Sequence, residues 1–270
     1  MLTKKTREDK MATKSDQPVT SKVQSIDRAV FILETLADAN SLGLGELSEK
    51  VGLHKATTHR IVQSLIENGL IEQVEENKQY RVSLRMFELG NKRVQNIDFI
   101  NVAKSNIRQL SEEINQTVHL VIEDNDEILY IDKYGDHHES KMRSKIGLKA
   151  PLYCTAVGKA MLAKRSDNEI LLYWSDLETE QKTEHTLTNI EQFMAEIEKV
   201  REEGYAVDDE EFEYGVFCVG SIFSSYKESV AGALSISLPI KEKPNKEHYV
   251  AKIRECAERI SQLLGGTLDY

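Results

Sequence analysis

The chain has 270 residues, of which 40% are hydrophobic and 30% charged, enough apolar material for a packed core and too much for a wholly disordered chain. The formal net charge of -10 argues, taken alone, against a protein coated in basic residues for nucleic acid. No run of about eighteen apolar residues predicts a membrane span, and the polar N-terminus carries no apolar signal segment, so a cytoplasmic protein is expected.

The charge is unevenly spread. Residues 1–90 carry 13 basic and 13 acidic groups, whereas residues 91–270 carry 22 and 32 and hold the whole excess. Between Gly52 and Ile66 there is no acid at all, and His54, Lys55, His59 and Arg60 fall there. A second basic cluster is Lys78, Arg81 and Arg85, followed by Lys92 and Arg93. This asymmetry predicts a small polyanion-binding module joined to a larger acidic one.

Residues 1–21 are polar and aperiodic and read as a disordered tail. From Ser25, Ile26, Ala29, Val30, Leu33 and Leu36/Ala37 recur at helical spacing, with Ser25 or Asp27 as cap. A short helix is expected over Gly45–Val51, then a tight turn at Gly52, which tolerates positive φ. The third helix, about Lys55–Asn68, has an apolar stripe (Thr58, Ile61, Val62, Leu65) and a second stripe (Ala56, His59, Arg60, Gln63). Asn68-Gly69 closes it. Leu70–Val74 and Gln79–Val82 read as a hairpin.

Helix, helix, tight turn, helix, hairpin is the order of a winged helix-turn-helix, assigned to residues 22–84. Lys55, Thr57, His59, Arg60 and Gln63 offer donors to base edges and phosphates, with His54 and Ala56 at the same helix start. Lys78 and Arg81 on the wing reach toward phosphates, against the neighbouring Glu75 and Glu76. The plainer alternative is a three-helix bundle with a solvated polar face; the ordered pattern and the acid-free window favour DNA.

A connecting helix is expected over Ser83–Gln95, within a linker assigned to 85–98, with Leu84, Phe87 and Leu89 facing inward. A further helix runs from Asp98 to Ile114. Strands follow at Thr117–Glu123 and Glu127–Lys133 around an Asn125-Asp126 turn. Helices are expected at Ala156–Ala163, Asp167–Trp174, Asn189–Glu203 and Lys246–Leu264, with strands at Val216–Phe223 and Val230–Leu238. Strands and helices mix without strict alternation, so residues 99–270 read as an α+β domain around an antiparallel sheet.

Four places in this domain suit a ligand. Pro151-Leu-Tyr-Cys-Thr-Ala-Val-Gly-Lys leads into a helix whose N-terminal N–H groups suit a carboxylate. Asp208-Asp-Glu-Glu is a run of four acids. Cys218 lies on a strand, and Ser235 and Ser237 share one strand face. Each has a plainer reading: a solvated acidic loop, a small core cysteine, a half-exposed strand face. Cys154, Cys218 and Cys256 show no C-x-x-C spacing, so neither a disulfide framework nor a zinc finger is expected. An enzyme would need an activated nucleophile, and nothing in the spacing pairs His119 with Cys154 or Cys218. His137-His138 reads as a solvated turn. No P-loop, dinucleotide fingerprint or H-E-x-x-H occurs, so no cofactor or metal is expected.

Leu53-His-Lys-Ala-Thr-Thr-His-Arg resembles the helix-turn-helix of the IclR family of bacterial transcriptional regulators. Pro151 to Ala160, Gly204-Tyr205 with Asp208-Asp-Glu-Glu, Gly215 to Cys218, and Ala231 to Pro239 resemble that family's effector domain, in order and spacing. Phe87-Glu-Leu-Gly, Val118-His-Leu and Met142-Arg-Ser-Lys-Ile-Gly resemble a subgroup that represses pectin catabolism and responds to 2-keto-3-deoxygluconate. The resemblance implies a GAF-like effector domain that binds a small organic acid, in homodimers or homotetramers acting on near-palindromic double-stranded operators. Carried over by position, it implies that the N–H groups of Ala156 and Val157 take the carboxylate. Asp208 would accept from ligand hydroxyls, and the main chain at Cys218 with the hydroxyls of Ser235 and Ser237 would complete the set. The chain departs from the family at His54, where Pro or Ser is frequent, and at Ala56, Ser221 and Leu238. An activator answering a different carboxylate, or a small-acid-metabolising enzyme, are the alternatives.

Overall fold

The computed structural model describes residues 23–95, 99–135 and 144–268. The tail, the end of the linker and His137-His138 lie outside these residues. The chain divides into two compact units, Met1–Asn96 and Ile97–Tyr270.

The first unit contains α1 (Gln24–Ala39), α2 (Leu44–Lys50), α3 (Lys55–Glu67), β1 (Ile71–Gln73), β2 (Tyr80–Val82) and α4 (Arg85–Gln95). Gly52 turns the chain between α2 and α3 at φ +65°, as the sequence requires. The wing is an antiparallel pair, with Ile71 opposite Val82 and Gln73 opposite Tyr80. Two backbone bonds between Leu42 and Tyr80 tie the α1–α2 connection to it. Ile32, Leu36, Leu47, Val62, Leu65 and Ile71 form the buried core.

Three expectations fail here, the first only in part. Of the α1 stripe, Leu36 is buried beside Ile32, and Ala29 and Leu33 pack against the core, but Ile26 (60% exposed) and Val30 face solvent. Val23 caps α1 with no side-chain hydrogen bond, so neither Ser25 nor Asp27 does so. On α4 and just before it, Leu84 (80% exposed), Phe87 (70%) and Leu89 point outward, not inward. Helical spacing shows that apolar residues share a face, and cannot say whether anything covers it.

The second unit runs α5 (Ile100–Ile114), β3 (Thr117–Asp124), β4 (Glu127–Tyr134), β5 (Lys149–Pro151), α6 (Ala156–Leu162), α7 (Asp167–Asp176), α8 (Ile190–Glu203), β6 (Ala206–Asp209), β7 (Val216–Phe223), β8 (Gly232–Pro239), a 3-10 turn (Ile240–Asn245) and α9 (Lys246–Leu263). The six strands form one antiparallel sheet in the order β5-β4-β3-β8-β7-β6. Asn125 and Asp126, at φ 54° and 60°, make the turn between β3 and β4. Sequence periodicity missed β5 and β6, which have three and four residues and too few alternations to register.

Side chains alternate across the sheet and separate two layers. Val121, Ile128, Ile222 and Ala233 join Leu152, Phe193 and Ile197 on the α6–α8 side. Helices α5 and α9 cover the opposite face. Gly220 of β7 lies under the start of α6. A Cβ there would sit 2.7 Å from the Ala156 carbonyl carbon and 2.8 Å from the Val157 nitrogen, so only glycine admits this approach. Gly220→Ala should destabilise the chain by about 1–3 kcal/mol, the usual cost of overpacking. It should also displace the α6 N-terminus; thermal unfolding measures the first effect, and backbone amide shifts of Ala156 and Val157 the second.

Candidate functional site

Two sites emerge, one in each unit. In the first, α3 buries Thr58, Val62 and Leu65 and turns its other face outward. His54, Lys55, Ala56, His59 and Arg60 are exposed there, with Thr57 and Gln63 half-buried at the edges. Gln63 Nε2 lies 3.5 Å from His59 Nε2 along this face. His54 occupies the N-cap with extended backbone and makes no side-chain cap bond. The N–H groups of Lys55 and Ala56 therefore remain open toward an anion at the helix start. On the wing, Lys78 sits in the turn at φ 58°. Arg81 is exposed, but its guanidinium is held 2.6 Å from Glu72 across the hairpin. That pairing, invisible in sequence, puts Arg81 in competition between Glu72 and a phosphate.

In the second unit, all six effector residues expected from sequence border one cavity. Its wall comprises Ala156, Val157, Asp208, Cys218, Ser235 and Ser237, with His119, Tyr130, Ser144, Thr155, Phe212, Glu213 and Val216. The cavity volume is about 30 Å³. The register explains the convergence. Asp208 stands opposite Cys218, Cys218 opposite Ser237, and Ser235 opposite His119, so neighbouring strands project them on one face. Thr155 caps α6 from above. Its hydroxyl accepts from the Gly158 N–H at 3.2 Å, and its carbonyl accepts from Lys159. The Ala156 and Val157 N–H groups have no protein acceptor among the described residues, and both residues line the cavity.

The acidic run is not a solvated loop. Asp208 is buried on β6 and its Oδ1 accepts from the N–H groups of Glu211 (2.8 Å) and Phe212 (3.2 Å). Glu211 is buried too, paired with the fully buried Lys159 of α6, whose Nζ also lies 3.5 Å from Glu196. Both residues lie in stretches singled out from the sequence, Lys159 at the end of the Pro151 run and Glu211 in the acid run, but their pairing is not readable there. His119 was weighed only as a base for a cysteine. In the structure its Nε2 is 2.9 Å from Ser144 Oγ and its Nδ1 3.3 Å from Ser237 Oγ, which in turn lies 3.2 Å from Cys218 Sγ. Burial pushes the Cys218 thiol up, so at neutral pH it is a weak hydrogen-bonding group and not a thiolate.

Two buried groups titrate abnormally, in opposite senses. Burial, then the nearby Glu211 charge, pushes Asp208 up from 3.8 to about 7. Burial, then Lys133, pulls His119 down from 6.5 to about 3. Between about pH 4 and 7 the folded chain keeps a proton on Asp208 that the unfolded chain has lost, so stability falls as pH rises. Between about pH 3 and 6.5 the unfolded chain protonates His119 and the folded chain does not, so stability rises with pH. The two slopes offset one another. Asp208→Asn removes only the first, and its stability should climb relative to the parent by up to about 4 kcal/mol as pH is raised from 4 to 7. Denaturant titrations at pH 4.5, 5.5 and 7 measure it.

Both units have counterparts in known proteins. The family model for the IclR helix-turn-helix domain matches residues 25–75, and that for the bacterial transcriptional regulator IclR C-terminal domain matches residues 91–262. The chain belongs to the IclR family, and it is a transcriptional regulator. It is 36% identical over 246 residues to the HTH-type transcriptional regulator KdgR of Dickeya chrysanthemi, covering 90% of this chain and 80% of that protein. Against KdgR of Escherichia coli K12 the identity is 35%, covering 90% and 93%. The crystal structure of Thermotoga maritima IclR superposes with a TM-score of 0.76 at 29% identity, covering 90% of this chain and 97% of that one. Among the described residues no helix is long and apolar enough to cross a membrane.

Proposed function

We propose that this regulator is a repressor of sugar-acid catabolism that leaves its operator when a small organic acid such as 2-keto-3-deoxygluconate fills the cavity of the second unit. One observation carries the reading. Ala156 and Val157, whose N–H groups lack a protein acceptor among the described residues, line one cavity with hydroxyl, carboxyl and imidazole groups, the chemistry that a carboxylate with a polyol tail requires. In this reading the carboxylate bonds to Ala156 and Val157, hydroxyls bond to Asp208, and the main chain at Cys218 with Ser235 and Ser237 holds the rest. The likeness to KdgR supports the sugar-acid class and the repressor role. His54, Lys55, Ala56, Thr57, His59, Arg60 and Gln63 enter the major groove, while Lys78 and Arg81 lie toward the backbone. The functional divisions are a DNA-binding domain over 22–84, a linker over 85–98 and an effector domain over 99–270. The exposed apolar residues Val23, Ile26 and Val30 of the first unit, with Leu84, Phe87 and Leu89, support assembly into dimers or tetramers on near-palindromic sites.

The test is a mobility shift on operator fragments selected from random duplexes, with and without the acid. Release requires that the acid favour the weakly binding state by its own differential affinity. A specific complex that dissolves on adding 2-keto-3-deoxygluconate, and not on adding gluconate, supports the reading. A complex unmoved by any sugar acid overturns the effector assignment, and a complex that tightens overturns release.

A further inference from the structure

We propose that His119 is the specificity-determining residue of the effector cavity, its imidazole setting whether Ser237 donates to or accepts from the ligand. This rests on the reading of the cavity as an organic-acid site, and goes beyond it by assigning how oxygen-bearing acids are told from plain ones.

His119 is buried in the middle of β3, beside Tyr130, whose ring meets the imidazole edge-on at 5.3 Å. Each of its ring nitrogens has a serine hydroxyl as neighbour, Ser144 at Nε2 and Ser237 at Nδ1. A neutral imidazole has one donor nitrogen and one acceptor nitrogen. Whichever nitrogen carries the proton, the other must accept. If Nδ1 accepts, the Ser237 hydroxyl points its proton at the ring and offers lone pairs to the cavity. If Nδ1 donates, the Ser237 proton is free for a ligand oxygen. The same hydroxyl meets Cys218 Sγ, so the choice passes on to the β7 strand. Desolvation keeps the ring uncharged through the physiological range.

The two serines come from distant parts of the chain. Ser237 is on β8, and Ser144 belongs to the segment that leads into β5. His119 and Ser144 lie 25 residues apart in sequence, and the fold brings them to 2.9 Å at the cavity wall. A buried polar site built this way rejects ligands that leave its groups unpaired. An acid bearing a keto or hydroxyl oxygen satisfies Ser237; an alkanoate of the same length strands it.

Two measurements on the full-length chain test this. The first is ¹⁵N-histidine NMR of the ligand-free protein from pH 5 to 8. His119 should show one neutral tautomer in dominant population throughout, and Ser237→Ala should shift the tautomer ratio with the fold intact. An imidazole that ionises in this range, or a ratio indifferent to Ser237→Ala, overturns the proposal. The second compares calorimetric binding of 2-keto-3-deoxygluconate and hexanoate. His119→Phe should lose at least about 10-fold in affinity for the keto acid, equivalent to ~1.4 kcal/mol, and leave hexanoate unchanged. His119→Gln, which retains a donor and an acceptor, should recover part of the loss. Equal losses for both acids indicate a packing role and overturn the assignment. Should the parent chain bind neither acid, the effector reading fails, while the NMR result still decides the state of the ring.

Discussion

Arg60→Ala should lower affinity for the selected operator by roughly 5- to 150-fold, the ~1–3 kcal/mol typical of an arginine that reads base edges. The side chain projects from the exposed face of α3, one turn in from the helix start that His54 caps. Alanine is the better helix former and nothing packs over this position, so folding stability should stay within about 0.5 kcal/mol. The thermal shift produced by the effector should be the same in both proteins, because ligand linkage depends on the second unit's affinity alone. Fluorescence anisotropy on specific and scrambled duplexes makes the decisive comparison. A base-reading arginine loses more on the specific duplex than on the scrambled one. A phosphate contact weakens both about equally and reduces the salt dependence. An unchanged affinity on both duplexes removes α3 as the recognition element.

Lys159→Met should be the most damaging single substitution in the second unit. The ammonium group is fully buried and bonds to Glu211, with Glu196 at 3.5 Å. Removing it leaves a carboxylate in a site that excludes water, and breaking a buried pair from one side costs about 3–5 kcal/mol. Glu211 already has one oxygen without a hydrogen-bond partner, so it has nowhere else to turn. Burial raises its pKa and Lys159 lowers it, so losing Lys159 should raise it further. The double variant Lys159→Met with Glu211→Leu should recover much of the loss, because two apolar groups of similar size carry no desolvation penalty. Denaturant unfolding of the parent, both single variants and the double variant closes this cycle. A double variant no more stable than Lys159→Met would mean that volume, not charge, sets the cost. Because Lys159 sits on the helix whose first two residues line the cavity, the single variant should also weaken acid binding.

The sequence displayed α3 well, because the information there is local. The 3.6-residue stripe of Thr58, Val62 and Leu65, the acid-free window and the turn at Gly52 all lie within about fifteen residues. The cavity was readable in part. Ser235 and Ser237 announce a shared face by their spacing, and the helix start after Thr155 announces open N–H groups. What joins them is strand register, a long-range property: nothing near Asp208 says that Cys218 will stand opposite it, or Ser237 opposite Cys218. For the same reason the acid run read as solvated. Glu211 is buried against Lys159, 52 residues earlier, and Asp208 accepts from the N–H groups of Glu211 and Phe212. His119 looked like an apolar-strand residue with an unused ring, and its two serine partners lie 25 and 118 residues away. The failures on α1 and α4 are of another kind. Val30 and Phe87 are as apolar as Ile32 and Leu36, and only the folded unit shows which of them its core takes in.

The sheet of the second unit ends, on one side, in the three-residue β5, closed by Pro151, and on the other in the four-residue β6, which finishes on Asp208 and Asp209. Short margins of this kind, bearing a proline or charge, give an incoming strand almost no ladder to extend. Copies of the chain are thereby prevented from zipping together edge to edge into open-ended fibrils. Any self-association is left to helical faces, whose contacts can close into a finite assembly.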